Sequence, residues 1–308
     1  MGVMRATAGR RVVDRDAEAQ LERDLQDFLG DMVDVLGTLR AQGKDHLCIV
    51  PHGPLHYYPL HVLGPVGRAL ADEWIVTYLP GLHSLRHARV IAGHPRRTER
   101  FTALGLGFAN GQPHGLMPLP SSIEEVEAVA RVFGVQPLRE EVATETAFLD
   151  ALGRYRYVHV STHGSHNPDA PSFQVIYLAP APGSDGRLNV HELTNVDMRG
   201  LEILSLSACE TALGRFDAAD NLRGLPARCF LAGAQTIIST LWEANADASK
   251  LFFTTFYECL HKGESKLDAF ARAQRHTRKA YPKYADWSAF CFMGDWRHAG
   301  EEGEYPHG

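Results

Sequence analysis

The chain has 308 residues, of which 44% are hydrophobic and 22% charged, enough to bury the core of one large α/β domain or of two smaller ones. The formal net charge of −6 argues against a nucleic-acid partner, because phosphate binding depends on clustered Lys and Arg. No apolar run approaches the length of a membrane span, and the first residues lack the apolar stretch of a secretory signal. These features predict a cytoplasmic protein that binds neither nucleic acid nor a membrane.

The first third of the chain predicts one amphipathic helix followed by short apolar strands. Residues 16–42 place apolar side chains at three- and four-residue spacing, and Gly43 ends the pattern. Residues 47–64 have the pattern of a short strand, a turn and a returning segment. Further strands are expected over 74–80 and 101–107, and 110–118 has the composition of a surface loop.

From residue 121 onward, predicted helices and strands alternate regularly. A helix over 121–134 is expected to begin with a capping box, formed by Ser121 with Glu124 or by Ser122 with Glu125. Strands are then expected over 155–162, 174–179, 201–208, 236–242 and 288–294, and helices from the cap Thr144 to Leu152 and over 221–234, 249–260 and 265–280. Strands separated by helices of this length predict an α/β fold, with a mostly parallel sheet and helices on both faces.

Two chemically capable side chains follow two of these predicted strands. His163 comes directly after the strand 155–162, and Cys209 comes directly after the apolar strand 201–208. Open α/β sheets carry their functional groups beyond the carboxyl ends of the strands. A thiolate attacks carbonyl carbons well once a nearby imidazole takes the proton of the thiol. The separation of 46 residues is close to the ~50 residues between His and Cys in caspases.

The residue after the histidine is also suited to this chemistry. Gly164 has no Cβ, so its backbone N–H can approach a developing oxyanion closely. The backbone N–H of Cys209 is the expected second donor of such an oxyanion hole.

The blocks that contain these residues resemble the CHAT domain, a caspase-like module of the caspase, separase and gingipain group that is often attached to TPR repeats. The blocks are, in order, IVPHGPLHYYPLHVLG, VTYLPGLHSL, LPSSIEEVEAVA, HVSTHG, LSLSACET, GLPARCFLAGAQTIISTLW, FYECLHKGESKLDAFARAQ and WSAFCFMGDW. The resemblance implies a caspase-like fold and endopeptidase activity on a protein substrate, with His163 and Cys209 as the catalytic dyad.

The resemblance also predicts how the chain is organised and used. It implies a CHAT domain over 46–297, in which 46–118 could form an N-terminal subregion. The residues before this domain are expected to form a leader with a helix over 1–45, and the polar, Gly-rich composition of 298–308 predicts a flexible tail. The resemblance further implies control by a separate regulatory or sensor protein. A prokaryotic defence or cell-death role, with a gasdermin-like or other effector as substrate, is the expected context.

Three residues are candidates for contact with the substrate. Metacaspases and separases, which cleave after Arg, carry Asp two residues before the nucleophile, where this chain has Ser207. The difference weakens the expectation of cleavage after Arg or Lys. Residues 243–246 replace a Pro-Val-Asp-Asp segment that is frequent in the family, and Glu243 and Asp247 could supply negative charge there. Solvation of the protein surface is the alternative role for both carboxylates.

The other cysteines and the histidines predict no metal or cofactor. No CxxC pair occurs, and apolar neighbours place four cysteines in the core, namely Cys48, Cys229, Cys259 and Cys291. The histidine strings have zinc-like spacing, but they fall on strands and loops rather than on one helix face (His52 and His56; His159, His163 and His166). Asp169, Glu210 and Asp217 are candidates for a third catalytic group, and none is assigned.

The sequence leaves two other functions open. One is a catalytically silent CHAT scaffold or adaptor that binds regulatory partners. The other is a thiol hydrolase or transferase that acts on a non-peptide acyl group. A cysteine-directed activity probe separates the scaffold from the enzymes, because only an activated Cys209 is labelled rapidly.

Overall fold

The computed structural model describes residues 32–297, except 65–68, 109–113, 168–169, 209–211, 213 and 217–221. Its strands are, in chain order, β1 (His46–Ile49), β2 (Ile75–Tyr78), β3 (Glu99–Gly105), β4 (Leu138–Arg139), β5 (Tyr155–Ser161), β6 (Gly164–Ser165), β7 (Val175–Tyr177), β8 (Arg187–Asn189), β9 (Ile203–Ser207), β10 (Arg215–Phe216), β11 (Leu222–Arg223), β12 (Thr236–Thr240) and β13 (Phe290–Gly294).

The α-helices are, in chain order, α1 (Met32–Ala41), α2 (Leu70–Glu73), α3 (Ser84–Ala92), α4 (Pro120–Phe133), α5 (Glu145–Arg154), α6 (Leu225–Leu231), α7 (Ala246–His261), α8 (Lys266–Ala280) and α9 (Tyr284–Trp287). Short 3-10 helices cover Gly53–Tyr57, Leu60–Val62, Glu140–Val142, Pro171–Phe173 and Val190–Asn195.

Eight strands form the central sheet, in the order β1-β2-β13-β12-β9-β5-β3-β4. Neighbouring strands are parallel except for the pair β12 and β13, which is antiparallel. The prediction of a mostly parallel sheet is therefore confirmed. Because β5, β9 and β12 run in the same direction, the segments that follow these three strands leave the sheet at the same edge.

Helices cover both faces of the sheet, as predicted. On one face, α4, α7 and α8 pack on outward-facing strand residues such as Tyr157, Ile203 and Phe290. On the other face, α3, α5 and α6 pack on the alternate residues, such as Val158 and Leu204. The alternation follows from the twofold repeat of a strand, and burial on both faces explains why these strands are almost continuously apolar.

Helix α4 lies unusually close to the sheet, because β3 ends in a glycine. A Cβ at Gly105 would lie only 2.7 Å from a methyl group of Val126 and 3.2 Å from the carbonyl oxygen of Ser122. The missing side chain therefore allows the start of α4 to rest directly on the carboxyl end of β3.

The structure corrects two local predictions. The capping box at the start of α4 is wrong: Pro120 is the first helical residue, Leu119 is the cap, and no side chain caps the helix. Proline suits this position because the first N–H groups of a helix have no intrahelical partner. The segment predicted as a strand over 174–179 does contain β7, but β7 belongs to a separate antiparallel sheet with β6 and β8.

Several other predictions are confirmed. Thr144 caps α5, since its hydroxyl oxygen accepts a hydrogen bond of 3.2 Å from the N–H of Ala147. The predicted helix over 16–42 is observed from Met32 to Ala41, and residues 16–31 lie outside the described part of the chain. The helix α3, by contrast, is absent from the elements that the sequence pattern predicts. No helix among the described residues is long and apolar enough to cross a bilayer.

Candidate active site

Strands β5 and β9 end side by side, and their register aligns the two predicted catalytic positions. Ser161, the last residue of β5, pairs with Ser207, the last residue of β9. The N–H of Thr162 then donates a hydrogen bond of 3.1 Å to the carbonyl oxygen of Ser207. His163 comes two residues after Ser161, and Cys209 stands two residues after Ser207 in the sequence. Cys209 itself lies outside the described residues.

The imidazole of His163 is held from two sides by the segment between β3 and α4. Its Nε2 lies 2.8 Å from the carbonyl oxygen of Met117. A carbonyl oxygen can only accept, so Nε2 carries the proton, and Nδ1 is the unprotonated nitrogen of the neutral ring. The ring of Phe108 packs against the imidazole, with 4.9 Å between the ring centroids. His163 thus has one nitrogen fixed as a donor and the other available as a base.

Phe108 reaches this position through an unusual backbone conformation. It is fully buried and has a φ of 51°, in the left-handed region that bulky side chains rarely adopt. Such strain persists only where surrounding contacts impose it, and it is concentrated at functional sites. Here, the strained residue contacts the candidate general base.

The carbonyl of Met117 is the group that sequence reasoning missed. The side chains considered for this role, Asp169, Glu210 and Asp217, all lie outside the described residues. Every residue has a carbonyl, so no residue type could have pointed to Met117. The side chain of Met117 is 77% exposed, and its backbone alone bonds to the imidazole.

Gly164 is the first residue of β6, and the β6–β7 ladder directs its N–H away from β7. The carbonyl oxygen of His163 accepts a hydrogen bond of 3.0 Å from the N–H of Tyr177. In an antiparallel ladder, hydrogen-bonded and non-hydrogen-bonded pairs alternate. The next pair, Gly164 with Ile176, therefore occupies a non-hydrogen-bonded position. This geometry suits a backbone donor to a bound oxyanion.

The segment that contains Cys209 is tied on both sides to one buried residue, Thr240 at the end of β12. The Thr240 hydroxyl donates a hydrogen bond of 2.7 Å to the carbonyl oxygen of Ala208. The carbonyl oxygen of Thr240 accepts one of 2.8 Å from the N–H of Ala212. Ala208 and Ala212 flank the undescribed residues 209–211, so Thr240 holds the residue on each side of this short segment.

The hydroxyl of Ser207 contacts a second hydroxyl. Its half-buried hydroxyl lies 3.1 Å from the hydroxyl of Ser249, a buried residue in the first turns of α7. The two hydroxyls satisfy each other, and Ser207 lies at the same sheet edge as His163. Among the described residues, the hydroxyl of Ser207 is thus bonded to a neutral polar group rather than to a charged one.

Glu243 and Asp247 are both exposed, in the segment that follows β12. The carboxylate of Asp247 lies 3.6 Å from Nζ of Lys250, which in turn lies 2.8 Å from the carboxylate of Glu124. A groove of about 600 Å³ between α4 and α7 is lined by Asp247, Lys250 and Glu124. Lys250 is thus shared by Asp247 and Glu124 and offsets part of their combined negative charge.

The cysteines predicted to be core residues are indeed enclosed. Cys229, Cys259 and Cys291 are buried and Cys48 is half-buried. Burial raises the pKa of Cys48 to about 11 and those of Cys229 and Cys291 to about 12. At neutral pH these thiols hold their protons and are poor nucleophiles. Among the described residues, no group of three or more His, Cys, Asp or Glu is arranged to hold a metal ion.

The sheet order and the paired ends of β5 and β9 define a caspase-like fold, and solved structures agree with this assignment. The Arg-specific cysteine proteinase gingipain R superposes with a TM-score of 0.53 at 12% identity, over 92% of this chain and 68% of the other. The separase of the Saccharomyces cerevisiae separase–securin complex superposes with a TM-score of 0.53 at 15% identity, over 78% of this chain and 15% of the other. At such identities the similarity is one of fold.

Within this fold, the chain belongs to the CHAT domain family, whose model matches residues 17–295. The resemblance noted from the sequence blocks is thus confirmed. A curated relative, Tetratricopeptide repeat protein 28 of Mus musculus, is 25% identical over an aligned length of 296 residues, and the match covers 80% of this chain. The chain spans only 12% of the length of that relative.

Proposed function

We propose that this chain is a cysteine endopeptidase that cleaves a protein substrate through a dyad of Cys209 and His163. Nδ1 of His163 takes the proton of the thiol, and the thiolate attacks the carbonyl carbon of the scissile peptide bond. The N–H groups of Gly164 and Cys209 stabilise the tetrahedral oxyanion. The imidazolium then protonates the leaving amine, and water hydrolyses the thioester.

The observation that carries this proposal is the orientation of His163. The Met117 carbonyl occupies Nε2 at 2.8 Å, which leaves Nδ1 as the basic nitrogen. A general base works only if it is held within reach of the proton it takes and in the correct tautomer. The pairing of Ser161 with Ser207 supports the same assignment. Each of these two residues precedes one member of the dyad by two positions in the sequence, and the two residues lie side by side at one edge of the sheet.

The substrate and the biological setting are part of the same proposal. Ser207, Glu243 and Asp247 are proposed to lie near the substrate, with Ser207 next to the side chain that precedes the cleaved bond. The CHAT family supports a cytoplasmic enzyme controlled by a separate sensor protein, with a gasdermin-like or other effector as substrate in prokaryotic defence or cell death. The boundaries at residues 45 and 297 stay predictions.

The test is proteome-wide profiling of new protein N-termini, produced by the purified chain in a cell lysate. Cys209→Ala is the matched control, because it removes one sulfur atom and should keep the fold. We expect cleavage events with a common sequence around the cut site that are present with the wild-type chain and absent with the variant. Cleavage that persists in Cys209→Ala would overturn the dyad.

A negative result also has a defined meaning. The profile should be recorded with and without candidate activating proteins, since control by a partner is part of the proposal. If no condition gives cleavage and no cysteine-directed probe labels Cys209, the chain is a CHAT scaffold rather than a protease. Labelling without peptide cleavage would instead favour a thiol hydrolase or transferase.

A further inference from the structure

Three polar contacts connect alternate residues of β5 and its extension with α4 and the segment that leads into it. At the carboxyl end, His163 donates to the carbonyl oxygen of Met117. Two residues earlier, the carbonyl oxygen of Ser161 accepts a hydrogen bond from the hydroxyl of Ser122. Two residues earlier again, Nε2 of His159 lies 3.0 Å from a carboxylate oxygen of Glu125. We call these three contacts the polar ladder.

The spacing of the polar ladder follows from simple geometry. The side chains of residues i, i+2 and i+4 of a strand point to one side, about 6.6 Å apart for every two residues. His159 and His163 make their contacts through these side chains. Ser161 uses its carbonyl oxygen, which also accepts a hydrogen bond of 3.2 Å from the N–H of Leu106.

Residues three apart on a helix share one face, as Ser122 and Glu125 do. Ser122 and Glu125 on α4 therefore contact successive alternate residues of β5. Met117, which precedes the helix, contacts the next alternate residue, His163.

The lowest contact, between His159 and Glu125, lies deep in the core. His159 is fully buried and Glu125 is 3% exposed. The rings of Phe253 and Tyr257 enclose the imidazole, with centroid distances of 4.7 Å and 5.7 Å. Burial of a carboxyl group and an imidazole in such a place is costly unless each satisfies the other. Two apolar side chains would fill the space at lower cost, so the pair needs another explanation.

The connection between α4 and Met117 is stiff enough to transmit position. Pro118 and Pro120 restrict the backbone on both sides of Leu119. The N–H of Leu119 also donates a hydrogen bond of 2.6 Å to the carbonyl oxygen of Gly107. A shift of α4 along β5 would therefore move the carbonyl of Met117 with it.

We propose that the buried His159–Glu125 pair is a positioning device that sets α4 against β5, so that the Met117 carbonyl meets Nε2 of His163. The inference deepens the proposed function, on which its catalytic part rests. No hydrogen bond or ring contact among the described residues joins the pair to His163 itself. The pair acts through the helix, and Ser122 is the intermediate point of attachment. Its specificity comes from the fact that the two polar groups bond at one register only.

The test compares Glu125→Gln, Glu125→Leu and a matched control. Glutamine keeps an oxygen that accepts from Nε2 of His159, whereas leucine fills the space without a bond. Glu202→Gln is the control, since Glu202 is 1% exposed and bonds Arg156 at the opposite end of β5, at 2.6 Å. Substitution of either buried carboxyl group, that of Glu125 or that of Glu202, is expected to lower the melting temperature.

The first readout is the state of the His163 ring, which does not depend on proteolysis. In ¹⁵N-histidine spectra, with the signal assigned from its loss in His163→Gln, the wild-type chain should show a protonated Nε2. Glu125→Leu should show a mixture of tautomers or altered protonation at His163. Glu125→Gln should approach the wild-type spectrum, and Glu202→Gln should equal it.

The second readout is the kinetics of peptide cleavage. Glu125→Leu should lower kcat by about 10- to 100-fold with KM unchanged, because misplacement of a catalytic group by ~1 Å costs that much. Glu202→Gln should lower the melting temperature without this loss in kcat. If Glu125→Leu fails to fold, Ser122→Ala removes the middle contact and should show a smaller change in the same direction.

The outcomes separate the two levels of the proposal. Altered His163 signals in a chain that cleaves nothing would support positioning and reject the protease. Wild-type His163 signals and wild-type kcat in folded Glu125→Leu would overturn the positioning role and leave the pair as an element of stability. Equal losses of kcat in Glu125→Leu and Glu202→Gln would overturn it too, because positioning is specific to the polar ladder.

Discussion

The carbonyl oxygen of Met117 and Nε2 of His163 are joined by a hydrogen bond of 2.8 Å, although 46 residues separate them in the chain. Many cysteine and serine hydrolases orient their catalytic histidine with a side chain. Here, a backbone atom orients the proposed general base and adds no charge of its own next to the imidazole. The hydrogen bond fixes the ring in the tautomer that carries its proton on Nε2.

The first prediction concerns the reactivity of the five cysteines. Iodoacetamide at neutral pH should label Cys209 at least about tenfold faster than any other cysteine, because alkylation follows the thiolate fraction. Cys229 and Cys291, with pKa values of about 12, should label only after unfolding. Peptide mapping by mass spectrometry after short exposures measures all five rates. His163→Gln should slow the labelling of Cys209 and leave the other four unchanged.

The second prediction concerns Thr240, which bonds to both sides of the segment 209–211. Thr240→Val removes the hydroxyl that donates to Ala208 and keeps the size of the side chain. We expect a loss of about 1 kcal/mol in the free energy of unfolding, as is usual for one buried hydrogen bond. We also expect kcat to decrease by a larger fraction than the free energy of unfolding does, because one end of the segment 209–211 is released. Urea unfolding and peptide cleavage measure the two effects.

Ser239→Ala is the matched control for Thr240→Val. Ser239 is the preceding residue on β12 and is equally buried, but its hydroxyl has no hydrogen-bond partner among the described residues. Removal of an unsatisfied hydroxyl should leave stability unchanged or raise it slightly. Equal kcat in Thr240→Val and Ser239→Ala would refute the anchoring role.

The sequence predicted the sheet well because its signals were local. Apolar runs bounded by turn residues gave the strands, and the position after a buried strand singled out His163 and Cys209. The capping box failed because Ser122 and Glu125 have the pattern of a cap, while their partners lie on β5, 39 and 34 residues further along the chain. The role of Met117 was not predictable, since it depends on where a backbone carbonyl lies after folding.

The third prediction concerns the charge next to the proposed substrate side chain. Ser207→Asp should raise kcat/KM for peptides with Arg before the cleaved bond by about tenfold or more relative to neutral ones, since a carboxylate pairs with a guanidinium. The Ser249 hydroxyl, which lies 3.1 Å from that of Ser207, can donate to the new carboxylate and ease its burial. Cleavage of paired peptide libraries measures the preference.

Asp247→Asn is the companion variant, which tests the other proposed source of negative charge. Asp247 is exposed and is paired with Lys250, so loss of its charge should change the preference less than Ser207→Asp does. A shift toward Arg in Ser207→Asp alone would place Ser207 at the substrate side chain. An unchanged preference in that variant, or a reduced cleavage of Arg peptides in Asp247→Asn, would move the specificity pocket elsewhere.

The last prediction concerns His61 and the stability of the fold at acid pH. His61 is buried, and its hydrogen bonds require the neutral ring: Nε2 donates to the carbonyl oxygen of Ser288 at 2.9 Å, and Nδ1 accepts from the hydroxyl of Tyr78 at 2.8 Å. Burial lowers the pKa of His61 from 6.5 to about 4, and the bond to Ser288 opposes this only in part.

The folded state thus binds the proton of His61 less readily than the unfolded state does. The stability that the neutral ring contributes is complete above pH 6.5 and falls as the pH decreases toward 4. At pH 5 this loss amounts to about 2 kcal/mol. His61→Gln, which can also donate and accept, should lose less stability than the wild-type chain between pH 7.5 and pH 5, measured by urea unfolding. Exposed His83, changed to Gln, should leave the wild-type difference intact, and a wild-type difference in His61→Gln would show that other groups cause the acid sensitivity.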